Sequence, residues 1–325
     1  MKKLALFAVV ALLAAVALPA MATDFTWSGE VTLGYISDGT PAGTSTLISN
    51  NYLNVVGKVD DNVSFYGELL IEPDAKGFPV NGGYLYGTAD LGKSLGLPFG
   101  EVLTFGYVDT TTQYYNVSAW ANEEVGDFDP GLRYNMSFVT TFGPANILVS
   151  IDPSQSGAAP SVLANVYGTF GPVKASVAYY TNKTMNGGLG LADVNFSTKM
   201  GDLGFAVDGQ AKFDLASSAF SWGAGVDVTF TSLLNVAVAT SGTTSSLGNI
   251  DFNVNLVPMT SLGVDLAVSL ATTGSLLNGI DTSVWYKIDK TTLRVGYAYT
   301  TNNIGLYWPA PEQNGGVYFS YDLTF

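Results

Sequence analysis

The sequence contains no histidine and no cysteine, and only 12% of its residues are charged, against about 25% in an average soluble domain. Without histidine there can be no Ser-His-Asp or Cys-His catalytic apparatus and no His-ligated metal or haem. The absence of cysteine excludes disulfides, thiolate zinc sites and iron–sulfur clusters. A net charge of −14 argues against nucleic-acid binding, which depends on basic side chains. We therefore expect no enzymatic activity, no cofactor and no metal site.

Long apolar runs are also scarce, and the clearest lies at the N-terminus. Lys2 and Lys3 precede an unbroken apolar run from Leu4 to Leu18, and Ala20-Met21-Ala22 matches the A-x-A cleavage pattern. The run is shorter than the roughly 20 residues of a transmembrane helix, and no second run of that kind follows. We expect residues 1–22 to be a cleaved secretory signal and residues 23–325 to be the exported protein.

Glycine, aromatic residues and small hydroxyl residues take the place of charge, and they are arranged with a period of two. In the first such segment Phe25, Trp27 and Val31 alternate with Thr26 and Ser28, and similar segments recur to the C-terminus. This period is typical of β-strands with two unlike faces. The polar face consists mainly of Ser, Thr, Asn and Gly and carries nearly all of the charges. A soluble β-sandwich also alternates, but its outer face carries more Lys and Glu.

Short and longer connections alternate between these segments, and Phe142, Phe170 and Phe230 each stand directly before a short one. We count eighteen strands, or sixteen if segments 84–90 and 101–109, whose facing is ambiguous, are misread. Because lipid offers no partner for backbone polar groups, strands cross a membrane only as a closed barrel. The pattern therefore predicts an all-β fold: a closed antiparallel transmembrane β-barrel with short periplasmic turns and longer extracellular loops.

A barrel of this size is too wide for side chains to fill, so its inner face would line a water channel. The lumen wall is predicted to include Glu68, Arg133, Lys174, Lys199, Asp227 and Arg294. Acidic residues modestly outnumber basic ones at the predicted inward positions, and rings of acidic residues favour cations. The sequence thus predicts passive diffusion of ions and small hydrophilic solutes with mild cation selectivity.

The last ten residues form one compact motif, in which Val317, Phe319, Tyr321 and Leu323 alternate with polar or tyrosine positions and Phe325 ends the chain. It resembles the C-terminal assembly signal of Gram-negative outer-membrane proteins. With the barrel architecture, it makes the chain similar to the bacterial general porin family. That resemblance implies residence in the outer membrane, contact with its lipid, and a homotrimer. It also implies recognition of Phe319, Tyr321 and Phe325 by the outer-membrane barrel assembly machinery.

Segment 110–130 is the third long connection and the longest. In general porins the third loop folds into the barrel and forms the constriction, so the resemblance implies that role here for Trp120, Glu123, Glu124, Asp127 and Asp129. The Pro-Glu-Phe-Gly-Gly type of sequence found in the porin loop is absent, so this inference rests on position and charge. An exposed acidic surface loop is the alternative.

Two other functions are compatible with a barrel. A solute-specific channel, such as a sugar porin, would need a continuous aromatic track along the lumen. The candidates for it lie on scattered strands: Tyr66, Tyr84, Tyr86, Tyr180, Trp285 and Tyr318. A structural or adhesive outer-membrane protein would need large exposed loops, whereas the loops here are short.

Overall fold

The computed structural model describes residues 24–37, 45–71, 80–107, 134–153, 160–181, 188–272, 277–300 and 315–324. They form β1 (Asp24–Ser37), β2 (Ser45–Lys58), β3 (Val63–Ile71), β4 (Val80–Asp90), α1 (Leu91–Leu95), β5 (Gly100–Tyr107), β6 (Tyr134–Phe142), β7 (Ala145–Asp152), β8 (Ser161–Phe170), β9 (Val173–Thr181), β10 (Gly188–Met200), β11 (Leu203–Asp214), β12 (Ala219–Phe230), β13 (Leu234–Thr243), β14 (Leu247–Met259), β15 (Leu262–Ala271), β16 (Leu277–Ile288), β17 (Thr291–Thr300) and β18 (Gly316–Thr324). Within these ranges no helix has the length and hydropathy needed to cross a membrane.

The strands form one closed antiparallel barrel. Each strand pairs with its neighbours along the chain, and β1 also pairs with β18, from Glu30 opposite Thr324 to Ser37 opposite Val317. Closure leaves no unpaired sheet edge, which is the condition for strands to cross lipid. The predicted fold and the count of eighteen strands are confirmed, and the two ambiguous segments belong to β4 and β5.

The short connections are tight because their residues suit the backbone they need. Gly143, Gly171 and Gly201 follow β6, β8 and β10 with φ of +56°, +65° and +60°, a left-handed conformation that glycine adopts without steric cost. After β2, the Asp60 carboxylate instead accepts hydrogen bonds from the backbone N–H of Asn62 and Val63 at 2.7 and 2.9 Å, an Asx-type turn. These turns gather at one end of the barrel, which we call the short-turn end.

The two faces of each strand differ as the alternation predicts. On β18 the side chains of Val317 and Phe319 are 59% and 46% exposed, whereas Tyr318 and Ser320 are 1% and 0% exposed. The face with large exposed apolar side chains is the outer surface, where the barrel meets lipid. The predicted outward residues Phe142, Phe170 and Phe230 also lie exposed on that surface.

A row of rings and glycines crosses the outer surface of β1–β5 near the short-turn end. In register it runs Phe25, Gly57, Phe65, Gly87 and Phe105. The Phe65 ring occupies the space that a side chain at Gly57 would need, and it meets the Phe25 ring edge-on at 6.0 Å. Phe65 is consequently only 5% exposed although it points outward, so the surface is flat and closely packed here.

Candidate functional site: the inner wall of the barrel

Acidic side chains outnumber basic ones on the inner face of the described strands. The register places inward the acids Asp24, Glu30, Glu68, Asp90, Asp152, Asp193, Asp208, Asp214, Asp227, Asp251, Asp265, Asp281 and Asp322, and the bases Lys58, Lys174, Lys199, Lys212, Lys287 and Arg294. A low-dielectric wall with an excess of one sign raises the local concentration of counter-ions. In this part of the chain no group of three or more acidic side chains is arranged to hold a metal ion.

The structure places five of the six residues predicted for the lumen wall on this inner face, on strands distributed around the barrel: Glu68, Lys174, Lys199, Asp227 and Arg294. The sixth, Arg133, lies outside the described residues. So do the five residues predicted for the constriction, namely Trp120, Glu123, Glu124, Asp127 and Asp129. Of the predicted assembly residues, Phe319 and Tyr321 lie on the outer face of β18, and Phe325 is not among the described residues.

Arg294 holds a polar network between β14 and β17. Its Nη1 donates to the Asp265 carboxylate and to the Ser283 hydroxyl, both at 2.6 Å. The Asn255 side-chain amide donates to the other oxygen of Asp265. The side chains of Arg294 and Asp265 are only 16% and 6% exposed, so this basic group is largely neutralised within the wall.

Several other inner-face acids are equally buried. Asp193, Asp251 and Asp281 each lose nearly all contact with solvent, and the Tyr318 hydroxyl donates to Asp281 at 2.8 Å. Desolvating an unpaired charge costs roughly several kcal/mol, so a buried carboxylate depends on the polar groups around it. These buried acids therefore contribute mainly to the structure of the wall. The half-exposed acids are the ones that a passing solute can reach.

Two of the partly exposed acids, Glu30 and Glu68, lie on β1 and β3 beside three tyrosines. We call this group the tyrosine–carboxylate wall: Glu30, Tyr52, Tyr66, Glu68 and Tyr86. The Tyr52 hydroxyl donates to Glu30 and the Tyr66 hydroxyl donates to Glu68, each at 2.9 Å. The rings of Tyr66 and Tyr86 stack with centroids 5.1 Å apart. The sequence pointed to Tyr66 and Tyr86 as inward residues but gave no reason to include Tyr52, whose partner Glu30 stands 22 positions away.

A second group on the inner face is apolar and was not predicted. Leu148, Leu163, Ala178, Tyr180 and Leu191, on β7–β10, form a cluster of buried side chains that we call the inner apolar patch. Leu163 is completely buried although its strand neighbours on the outer face are lipid-facing. On these strands the mainly polar inner face therefore includes an apolar area, because here apolar side chains pack against one another across the sheet.

The sequence from residue 8 to residue 320 matches the family model of Gram-negative porins. The chain belongs to the Gram-negative porin family. This porin is similar in structure to a triple mutant of the Rhodopseudomonas blastica porin, with a TM-score of 0.53 and 13% identity over 93% of this chain and 100% of that chain. It is also similar to OccAB1 of Acinetobacter baumannii, with a TM-score of 0.58 and 11% identity over 94% of this chain and 97% of the other. No curated protein sequence matches it.

Family membership and the closed barrel together show where the inner wall lies in the cell and what it encloses. The porin resides in the bacterial outer membrane and forms a channel that small solutes pass through. Sequence identities this low support a shared barrel fold and nothing further. Which solutes the channel selects must be inferred from the side chains of this chain. The channel has the family and fold of non-enzymatic proteins.

Proposed function

We propose that this porin is a passive diffusion channel for ions and small hydrophilic solutes, mildly selective for cations, and without catalytic activity or cofactor. The observation that carries the proposal is the excess of acidic side chains on the inner face. One of the inward bases, Arg294, is already neutralised by Asp265. The remaining acidic wall attracts cations because charge near a low-dielectric surface is poorly screened.

The test is the reversal potential of the purified porin in a planar lipid bilayer under a gradient of potassium chloride. We expect a potential of the sign that cation preference produces, and it should shrink as the salt concentration rises, since the Debye length falls from about 10 Å at 0.1 M to about 3 Å at 1 M. A clear preference for anions would contradict the proposal.

We further propose that segment 110–130 folds into the lumen and forms the constriction with Trp120, Glu123, Glu124, Asp127 and Asp129. Two observations support this. The segment joins β5 to β6, and β6 pairs with β7, the first strand of the buried inner apolar patch. It also contains the apolar residues Trp120 and Phe128, which are suited to such a surface.

The double substitution Glu123→Gln and Glu124→Gln tests the constriction. Because charge at the narrowest point acts on every passing ion, we expect the reversal potential to move clearly toward zero. Asp289→Asn is the matched control: it removes one charge in an exposed short turn where φ is +55°, a conformation that Asn tolerates. If the double variant, the control and the wild type give the same reversal potential, segment 110–130 is not the constriction.

We also propose a homotrimer whose chains are inserted by the outer-membrane barrel assembly machinery. The flat row of rings and glycines on β1–β5 supports close contact between barrels. Exposed Phe319 and Tyr321 on β18, the strand that closes the barrel against β1, support recognition of the last strand. Cross-linking of the detergent-solubilised protein measures the number of chains, and a purely monomeric product would contradict the trimer.

A solute-specific channel is the second candidate, and one observation favours it. The tyrosines of β2–β4 are adjacent rather than scattered, with Tyr66 stacked on Tyr86 and Tyr52 one strand away. Current that saturates with solute concentration would support this function over simple diffusion.

A further inference from the structure

One register row of the tyrosine–carboxylate wall presents aromatic and apolar surface to the lumen. It runs Val56, Tyr66, Tyr86 and Gly106 across β2–β5. Val56 is 40% exposed although it lies on the inner face. Gly106, with φ of +137°, adds no side chain beyond Tyr86. The two stacked rings therefore stand beside an open apolar surface rather than inside a packed core.

The carboxylates of the same wall lie toward the long-loop end of these rings. Glu68 follows Tyr66 by two residues on the same face of β3, and Glu30 lies on β1 opposite Tyr52. The Glu68 side chain rests against β4 at Gly83, where an added Cβ would lie 2.5 Å from Glu68 Oε1. A side chain at position 83 would require the Glu68 side chain to shift from this place beside the rings.

Among the described residues, no base lies beside these two carboxylates. On the inner face of the described parts of β1–β4 the single basic residue is Lys58, at the short-turn end, where it is ion-paired with Asp61 at 2.7 Å. The Tyr52 hydroxyl contacts Oε2 of Glu30, and the Tyr66 hydroxyl contacts Oε2 of Glu68. The wall thus combines negative charge, π faces and an apolar neighbour on a surface that solutes can reach.

We propose that the tyrosine–carboxylate wall is a subsite for small organic cations that carry an aromatic ring. An ammonium group is attracted both by a carboxylate and by the face of a tyrosine ring, while the ring of the solute packs against Tyr66, Tyr86 and Val56. A neutral sugar would use the rings but leave both carboxylate charges uncompensated. The proposal rests on the proposed cation preference of the channel and names the class of cation that the wall retains.

The first experiment uses the wild-type porin in a planar bilayer and measures how much each probe reduces the single-channel potassium current. The probes are 2-phenylethylammonium, ethylammonium, which has the charge but no ring, 2-phenylethanol, which has the ring but no charge, and glucose. We expect 2-phenylethylammonium to reduce the current with an apparent affinity about fivefold tighter than that of ethylammonium, because only the former has a ring that packs against the tyrosine rings. Equal effects of the two cations, or a stronger effect of glucose, would overturn the proposal.

The second experiment locates the effect with two variants. Glu68→Gln should weaken the effect of both cations, and Tyr66→Leu should remove most of the difference between them. Tyr66→Phe keeps the ring and should keep most of that difference, while Tyr167→Leu, on the inner face of β8 outside the wall, should leave it unchanged. If Tyr167→Leu abolishes the difference and Tyr66→Leu does not, the site lies elsewhere and the proposal fails.

The outcomes also separate this inference from the proposed function. A channel that prefers potassium to chloride yet treats the two ammonium probes alike refutes the subsite and leaves the cation preference standing. A channel without cation preference that still distinguishes the probes through Tyr66 refutes the proposed selectivity and leaves the subsite standing. The wild-type comparison of probes requires no variant, so it remains decisive if a substitution prevents folding.

Discussion

The tyrosine–carboxylate wall on β1–β4 and the inner apolar patch on β7–β10 occupy the same face of the same barrel, yet they differ in what they contact. Val56 in the first region is 40% exposed and Leu163 in the second is 0% exposed. Both residues point inward by register. The comparison shows that facing inward does not by itself make a residue part of the permeation path. Exposure divides the inner wall into a part that solutes reach and a part that holds the barrel together.

This division predicts that substitutions of buried inner-wall residues change stability, and that substitutions of half-exposed ones change conduction. The largest effect on stability is expected for Arg294→Met. The substitution leaves Asp265 charged, buried and without its basic partner, which typically costs about 3–5 kcal/mol. The measurement is the free energy of unfolding by urea after refolding into lipid vesicles.

Lys199→Met is the control for Arg294→Met, since Lys199 is an exposed inner-face base near the short-turn end. Exposed ion pairs contribute about 0–1 kcal/mol, so this variant should unfold almost like the wild type. The double variant Arg294→Met with Asp265→Asn should recover part of the loss. Equal, small losses of unfolding free energy for Arg294→Met and Lys199→Met would mean that water screens the Arg294 network. Burial would then not separate structural from permeation residues on β14–β17.

The next largest effect is expected for Leu163→Ala in the inner apolar patch. Truncating a fully buried leucine removes apolar contacts and leaves a cavity, at a cost of about 2–5 kcal/mol. Val56→Ala removes apolar volume from the same face in the exposed region and should cost less than about 1 kcal/mol. Both are measured by the same urea titration. If the two variants lose equal stability, the patch is not a packed core and the two regions do not differ.

The contrast between these regions also shows how much of the structure can be predicted from the sequence. The period of two predicted the faces of β1 and β18 and the count of eighteen strands, because membrane strands must show apolar side chains to lipid. It predicted the inward position of Glu68 and Arg294 for the same reason. The pattern of alternation carries no information on which inward residues pack together.

The inner apolar patch and the role of Tyr52 depend on contacts between different strands. Leu163 meets Tyr180 across the β8–β9 pair, and Tyr52 reaches Glu30 across the β1–β2 pair. Such contacts follow from register, which turn lengths set for the whole barrel. In the sequence alone, a leucine on an otherwise polar face is a break in the alternation. The strand pairing of the closed barrel shows that it belongs to a cluster. The constriction remains a prediction, since its residues lie outside the described part of the chain.

The smallest effect, and the one that tests the exposed region directly, is expected for Glu68→Gln. A carboxylate about 5–10 Å from a passing cation in water contributes about 0.4–0.8 kcal/mol, so the ratio of potassium to chloride permeability should fall by about twofold at 0.1 M salt. At 1 M salt, where the Debye length is about 3 Å, the variant and the wild type should converge. Stability should hardly change, because Glu68 is half-exposed.

Glu101→Gln is the matched control for Glu68→Gln. It removes the same charge from β5, where register places Glu101 opposite Thr140 on the outward-facing row with Ile147. Because ions in the lumen are separated from that row by the barrel wall, reversal potentials of this variant and the wild type should agree. An equal shift in both variants would mean that the net charge of the protein, rather than the side chains of the inner wall, sets selectivity. The two variants differ only in whether the inner or the outer face of the barrel loses a charge. A shift of the reversal potential in Glu68→Gln alone would therefore show that the exposed region of the inner wall selects ions.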